Sequence, residues 1–216
     1  MQTYVKLIVV GLIGLGASAA QAVTVNFTTT AGPTTPQLGA TTIDFNNDTC
    51  AGLGANEYKT CTGSFETVAG SLSGKYAQPV GATDEYLTVP DPDGGSTGGA
   101  ELSLRGPANY FGLLWGSIDA YNTIAFYSGG ALVQSFTGTD IVGANANGNQ
   151  SSASSNLYVN FFFNGVTYDE IRMTSTGFAF ESDNHAYAPV PLPAAAWLLL
   201  SGIAGLGFIG RRRTAA

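Results

Sequence analysis

The chain has 216 residues, with 8 Lys+Arg against 15 Asp+Glu and a formal net charge of -7; that length suits one ordinary domain plus processing segments, and that charge argues against binding phosphate backbones. With 11% charged residues, 44% hydrophobic residues and 29 Gly, it is neither a disordered polyelectrolyte nor a coiled coil. One His and two Cys in the whole chain cannot assemble a His-rich or Cys-rich metal site, and nucleic acid is not an expected partner.

The N-terminus carries one cation, Lys6, then an apolar stretch over residues 7–17, then small residues ending in Ala20-Gln21-Ala22. This is the pattern of a secretory signal peptide, residues 1–22, with an A-x-A cleavage site. The apolar run is too short for a membrane anchor, which needs about twenty residues. Sec export machinery and a signal peptidase are the partners it implies. The exported domain then spans residues 23–189. It holds four cations, Lys59, Lys75, Arg105 and Arg172, against all 15 acids, a net charge of -11. Such a surface repels anionic lipid and DNA and attracts divalent cations, and it serves solubility equally well.

Short β-rich runs broken by Gly, Asn, Asp and Ser clusters recur along this domain, without a convincing amphipathic helix. Strands are expected at residues 23–28, 41–45, 63–68, 86–89, 100–105, 110–115, 123–127, 131–136, 157–163, 168–174 and 178–181. Ser128-Gly129-Gly130 reads as a hairpin turn. In Leu157-Tyr158-Val159-Asn160-Phe161-Phe162-Phe163, apolar odd positions alternate with Tyr158 and Asn160, which predicts one buried face. The pattern as a whole predicts an all-β fold, an antiparallel β-sandwich of jelly-roll kind, with 12 Phe and 10 Tyr to fill its core.

Cys50 and Cys61 are expected to pair in an oxidising compartment, and closing that loop would contribute about 3 kcal/mol in the chain-entropy model. A nucleophilic Cys would need a basic partner, for which His185 is the sole candidate. Residues 46–56, 90–99 and 143–156 form Gly/Asn/Asp/Ser-rich stretches that read as binding loops or as solvated turns. Asp91-Pro92-Asp93-Gly94-Gly95 looks like a calcium loop, but Gly95 and Leu102 stand where ligands belong, and a plain turn explains it. Glu181, Asp183 and Asn184 close the last expected strand, and Asp44, Asn46 and Asp48 close an early one. First and last strands often pair in jelly rolls, which would gather these oxygens into a structural Ca²⁺ site. No other cofactor is expected.

For catalysis, the chain has no G-x-S-x-G, H-E-x-x-H or Walker sequence. A triad would have to use His185, which is expected in a membrane-proximal stalk. A glycosidase carboxylate pair stays open, because 15 acids always allow one. Asp119 beside Tyr121 could contact a sugar, while Trp115 and its neighbours read as core.

The C-terminal end carries Val190-Pro191-Leu192-Pro193-Ala194, an uncharged apolar stretch over residues 194–210, and then Arg211, Arg212 and Arg213. The prolines hold an extended segment that a processing enzyme can grip. The apolar stretch can form a short membrane-spanning helix, and the three arginines fix its end in the cytoplasm. This order resembles the PEP-CTERM sorting signal of Gram-negative bacteria, in its VPLPA variant, over residues 190–216. The resemblance implies recognition by an exosortase, which would cleave near the motif and release or re-anchor the domain at the cell surface. A second resemblance, to exosortase-dependent surface proteins, rests on Tyr110-Phe111-Gly112-Leu113-Leu114-Trp115-Gly116-Ser117, Tyr121-Asn122, Val159-Asn160-Phe161 and Phe178-Ala179-Phe180-Glu181-Ser182-Asp183-Asn184. It implies an exported β domain and carries over no catalytic residue.

The expectation is therefore a non-enzymatic protein of the cell surface or biofilm matrix with a structural or interaction role. One alternative is a carbohydrate-binding module that associates with exopolysaccharide through exposed Tyr or Trp and a Ca²⁺-ordered loop. The other is a glycoside hydrolase or lyase.

Overall fold

A computed structural model describes residues 24–46 and 57–190. The expected signal peptide, Asp48, Cys50, Pro191 to Ala194, the apolar stretch and Arg211, Arg212 and Arg213 lie outside the described residues. No helix among the described residues is long and apolar enough to cross a membrane.

The fold is all-β and antiparallel. Its strands are β1 (Thr24–Thr30), β2 (Thr41–Ile43), β3 (Thr60–Gly63), β4 (Glu66–Ala69), β5 (Glu85–Val89), β6 (Gly98–Trp115), β7 (Asn122–Ser128), β8 (Ala131–Thr137), β9 (Leu157–Asn164), β10 (Tyr168–Ser175) and β11 (Phe180–Pro189). One short helix, α1 (Gly138–Val142), follows β8. It is set by a capping box, in which Thr137 Oγ1 accepts from the Asp140 N–H and Asp140 Oδ2 accepts from the Thr137 N–H. A helix of five residues is too short to leave a periodic signal in the sequence.

The architecture turns on β6. Residues 100–105 and 110–115 were expected as two strands, but one strand of 18 residues runs through both. Its first half pairs with β3 and β10, and its second half with β9 and β11. Pro107 has no N–H for a ladder, and it falls where the strand changes partners. Two leaves result, β3-β6-β10-β7-β8 and β1-β9-β6-β11-β5-β4, with β2 alongside β11. β7 and β8 join through Gly129 and Gly130, with φ of 55° and 81°, the left-handed pair that a two-residue hairpin turn requires.

Aromatic rings lock the leaves face to face. Phe126 on β7 meets Phe161 on β9 with ring centroids 5.0 Å apart, Phe136 on β8 meets Phe161 at 5.1 Å, and Phe27 on β1 meets Phe136 at 5.6 Å. Edge-to-face and tilted pairs of this kind add about 0.5–1.5 kcal/mol beyond the area they bury. Trp115 is fully buried and stacked on Phe180, the core role expected of it.

β9 departs from the one-sided pattern expected of it: Tyr158 and Asn160 are as buried as Val159 and Phe161. Thr35, in the segment between β1 and β2, meets the Tyr110 hydroxyl with its own. Tyr110 in turn donates to Asn160 Oδ1 at 2.7 Å. Polar groups at alternate positions are thus satisfied inside the protein, and alternation alone cannot tell that from solvent.

β11 departs most. The last strand was expected to stop at Glu181, with His185 in a stalk; instead it runs to Pro189 and His185 is fully buried. Leu114 pairs with Asp183 but Gly112 pairs with Ala186, so β11 bulges between them. Asn184 takes φ of 48° there, which a short polar side chain tolerates. The bulge turns His185 inward against Phe45 and Phe111.

Candidate functional site

The site forms where four irregular segments meet the start of β11. Ser117, Asp119 and Tyr121 come from the turn after β6, Lys75 and Tyr76 from residues 74–76, and Asn147, Gly148 and Gln150 from the loop after α1. Phe178 and Glu181 close it, and together they line a polar pocket of about 200 Å³. Asp119 is fixed by its backbone: its carbonyl accepts from the Asn122 N–H, and it forms a bridge with Asn147. Its carboxylate lies over Gly148, where a Cβ would come within 2.5 Å of Oδ1. A residue without a side chain is required at that point, and φ of 65° suits glycine as well.

Glu181 is 3% exposed. Its Oε1 accepts from the Ala77 N–H at 2.8 Å, while Oε2 has no hydrogen-bond partner. Burial holds the Glu181 carboxyl well above the usual range, the Ala77 N–H opposes that, and the Asp119 charge adds to it. Asp119 is also raised by burial, against the Tyr121 hydroxyl, which lowers it. Tyr121 is 36% exposed and donates to the Phe178 carbonyl at 2.6 Å. Lys75 donates to the Pro92 carbonyl and sits 4.8 Å from the Phe178 ring centroid. The arrangement offers two carboxyls, side-chain amides and aromatic faces in one recess.

Of the residues expected to hold Ca²⁺, the five that are described, Asp44, Asn46, Glu181, Asp183 and Asn184, do not share one environment. β2 does pair with β11, as expected, and the charges of Asp44 and Asp84 help raise Asp183 to about 7, after burial itself. Glu181, however, faces Ala77 and Asp119 in the pocket. Asp44 Oδ1 accepts from the Asn46 N–H, Asn46 Oδ1 accepts from the Glu85 N–H, and Asp183 Oδ1 accepts from the Asn184 N–H. No group of three His, Cys, Asp or Glu able to hold a metal ion occurs among the described residues.

The Asp91–Gly95 segment is a turn, with Asp91 accepting from the N–H groups of Asp93 and Gly94. Cys61 lies on β3 and is not a free thiol, while its expected partner Cys50 is outside the described residues. Val190 is 38% exposed and donates its N–H to the Pro107 carbonyl at 3.4 Å.

Sequence reasoning singled out Asp119 and Tyr121 and assigned Glu181 to a different cluster. It passed over Lys75, and it saw Asn147 and Gln150 only as part of a polar loop. The overlooked signal is Glu181 itself, an acid directly after the apolar run Phe178-Ala179-Phe180, a setting in which a carboxylate needs a reason to be buried. No family model, curated protein or solved structure matches the chain.

Proposed function

We propose that the chain is an exported, exosortase-processed protein of the Gram-negative cell surface or extracellular matrix, with a structural or interaction role. The observation that carries this is the order of segments in the sequence: a signal peptide, a β domain, Val190-Pro191-Leu192-Pro193-Ala194, an apolar stretch and Arg211, Arg212 and Arg213. A membrane-anchored precursor, held by the C-terminal helix, presents the proline-stiffened motif for cutting. The exposure of Val190 at the end of β11 supports that presentation. The two facing leaves agree with a jelly-roll-like β-sandwich, a fold suited to display outside the cell. In an oxidising compartment Cys61 pairs with Cys50.

The test is fractionation and intact mass from cells with and without the exosortase. The expected result is a shorter, surface or released product in the first and an uncut membrane-bound precursor in the second. Identical maturation in both strains refutes the processing.

A second reading, a carbohydrate-binding module that associates with exopolysaccharide, is favoured by one observation. The polar pocket holds Asp119 and Glu181 beside the partly exposed Tyr121, and such convergent polar groups around an aromatic face are what small-ligand sites use for orientation.

A further inference from the structure

Glu181 lines the pocket with a buried carboxyl whose Oε2 has no hydrogen-bond partner. A buried carboxyl oxygen without a partner costs about 1–3 kcal/mol or more, which a small turn of the carboxyl toward a donor in the recess would remove. The rest of the lining mixes acceptors and donors: the Asp119 carboxylate, the Ser117 and Tyr76 hydroxyls and the side-chain amides of Asn147 and Gln150. The complementary ligand therefore both donates and accepts, as hydroxyl groups do.

Charge narrows it further. The Asp119 carboxylate repels an anion. A divalent cation wants a cage of six to eight oxygens with several charges, whereas only two acids line this pocket and Lys75 stands in its lining. A neutral ligand whose donors are hydroxyl groups fits both facts. Size narrows it again, since about 200 Å³ is the room of roughly six or seven waters at about 30 Å³ each, enough for one six-membered ring with its hydroxyls. Tyr121 and Phe178 supply apolar faces for the C–H side of such a ring.

We infer that this pocket binds a single neutral pyranose unit, with Asp119 and Glu181 bonding its hydroxyls and Tyr121 lying against the ring. A buried carboxyl that keeps its proton can both donate to and accept from a hydroxyl, which suits Glu181 to that task. The inference deepens the carbohydrate-binding reading and is independent of export and sorting, because its test uses the purified full chain alone.

The probes are glucose, galactose, mannose and N-acetylglucosamine, each followed by saturation-transfer NMR against the full chain in a detergent without a sugar headgroup. Transfer to at least one of them is expected. Asp119→Asn preserves shape and weakens binding roughly ten- to hundredfold, the loss that follows removal of a hydrogen bond to a charged partner, whereas Glu181→Gln, which keeps a donor and an acceptor as the protonated carboxyl does, retains it. Leu132→Ser, on the exposed face of β8 away from the pocket, leaves binding unchanged. Tm is recorded for every variant, so a loss of binding counts only where the fold is retained; should Glu181→Gln fail to fold, Asp119→Asn decides. Absence of transfer to all four sugars overturns the inference, as does transfer that Asp119→Asn retains. A Tm that rises with Ca²⁺, falls in EDTA and loses both responses in Asp119→Asn also overturns it, in favour of a cation site.

Discussion

His185 shows how strongly burial governs a single residue here. Desolvation drives its pKa from 6.5 down to about 3, so the ring is neutral at physiological pH, with one nitrogen accepting and the other donating. Both are filled: Nδ1 meets the Tyr58 hydroxyl at 2.6 Å and Nε2 meets Ser182 Oγ at 2.9 Å. Tyr58→Phe keeps the ring but strips one partner from a fully buried nitrogen, and a loss of about 1–3 kcal/mol is expected. Urea denaturation of the variant beside the parent measures it, and equal midpoints and slopes would show that this bond contributes nothing. None of this could be read from the residues next to His185. Ser182-Asp183-Asn184 carries turn chemistry, and the apolar partners Phe45 and Phe111 lie far away in sequence.

At the scale of elements, local pattern located almost every strand but misplaced the points where strands begin, merge or bend. The strand expected at residues 63–68 is β4, which begins only at Glu66, and an unexpected strand, β3, ends at Gly63, where the run breaks. Gly63 has φ of 109°, and a Cβ there would stand 2.1 Å from the Gly99 carbonyl oxygen on β6. Gly63→Ala is therefore expected to cost more than about 2 kcal/mol, the left-handed penalty plus a backbone collision. Gly39→Ala is its control, since Gly39 has φ of 74° with open space around it and meets the dihedral cost of about 1–2 kcal/mol alone. Equal losses in the two variants, by chemical denaturation, would show that the close approach to β6 is unimportant. Gly63 was visible as a glycine, but its contact with Gly99 depends on the β3–β6 register.

At the scale of the molecule, several buried groups shape stability against pH. Asp183 is raised to about 7 and Glu181 well above its usual range, so the folded state holds protons that the unfolded state has released, and stability falls as pH rises from about 4 through 7. His185 acts in the opposite sense: the unfolded ring takes a proton below about 6.5 and the folded one only near about 3, so its contribution is lost as pH falls. Between those limits three raised acids, Asp119 included, outweigh one depressed base. Tm is expected to be highest near about pH 4–5 and to decline toward pH 8, and Asp183→Asn, which cannot titrate, to flatten that decline. Calorimetry across this range checks both; a Tm that climbs steadily from pH 4 to 8 would contradict the assignment. The sequence by itself determined the composition class, the β-rich periodicity, the hairpin at Gly129 and the layout of terminal segments from which an address is read, because each is a property of neighbouring residues. Only the tertiary structure decided that β6 serves both leaves, that β11 bulges to bury His185, and that Asp119 and Glu181 share one pocket. Those outcomes depend on which distant segments pair and on how much water they exclude. Acids 62 positions apart in the chain have no local signature to reveal that they will meet.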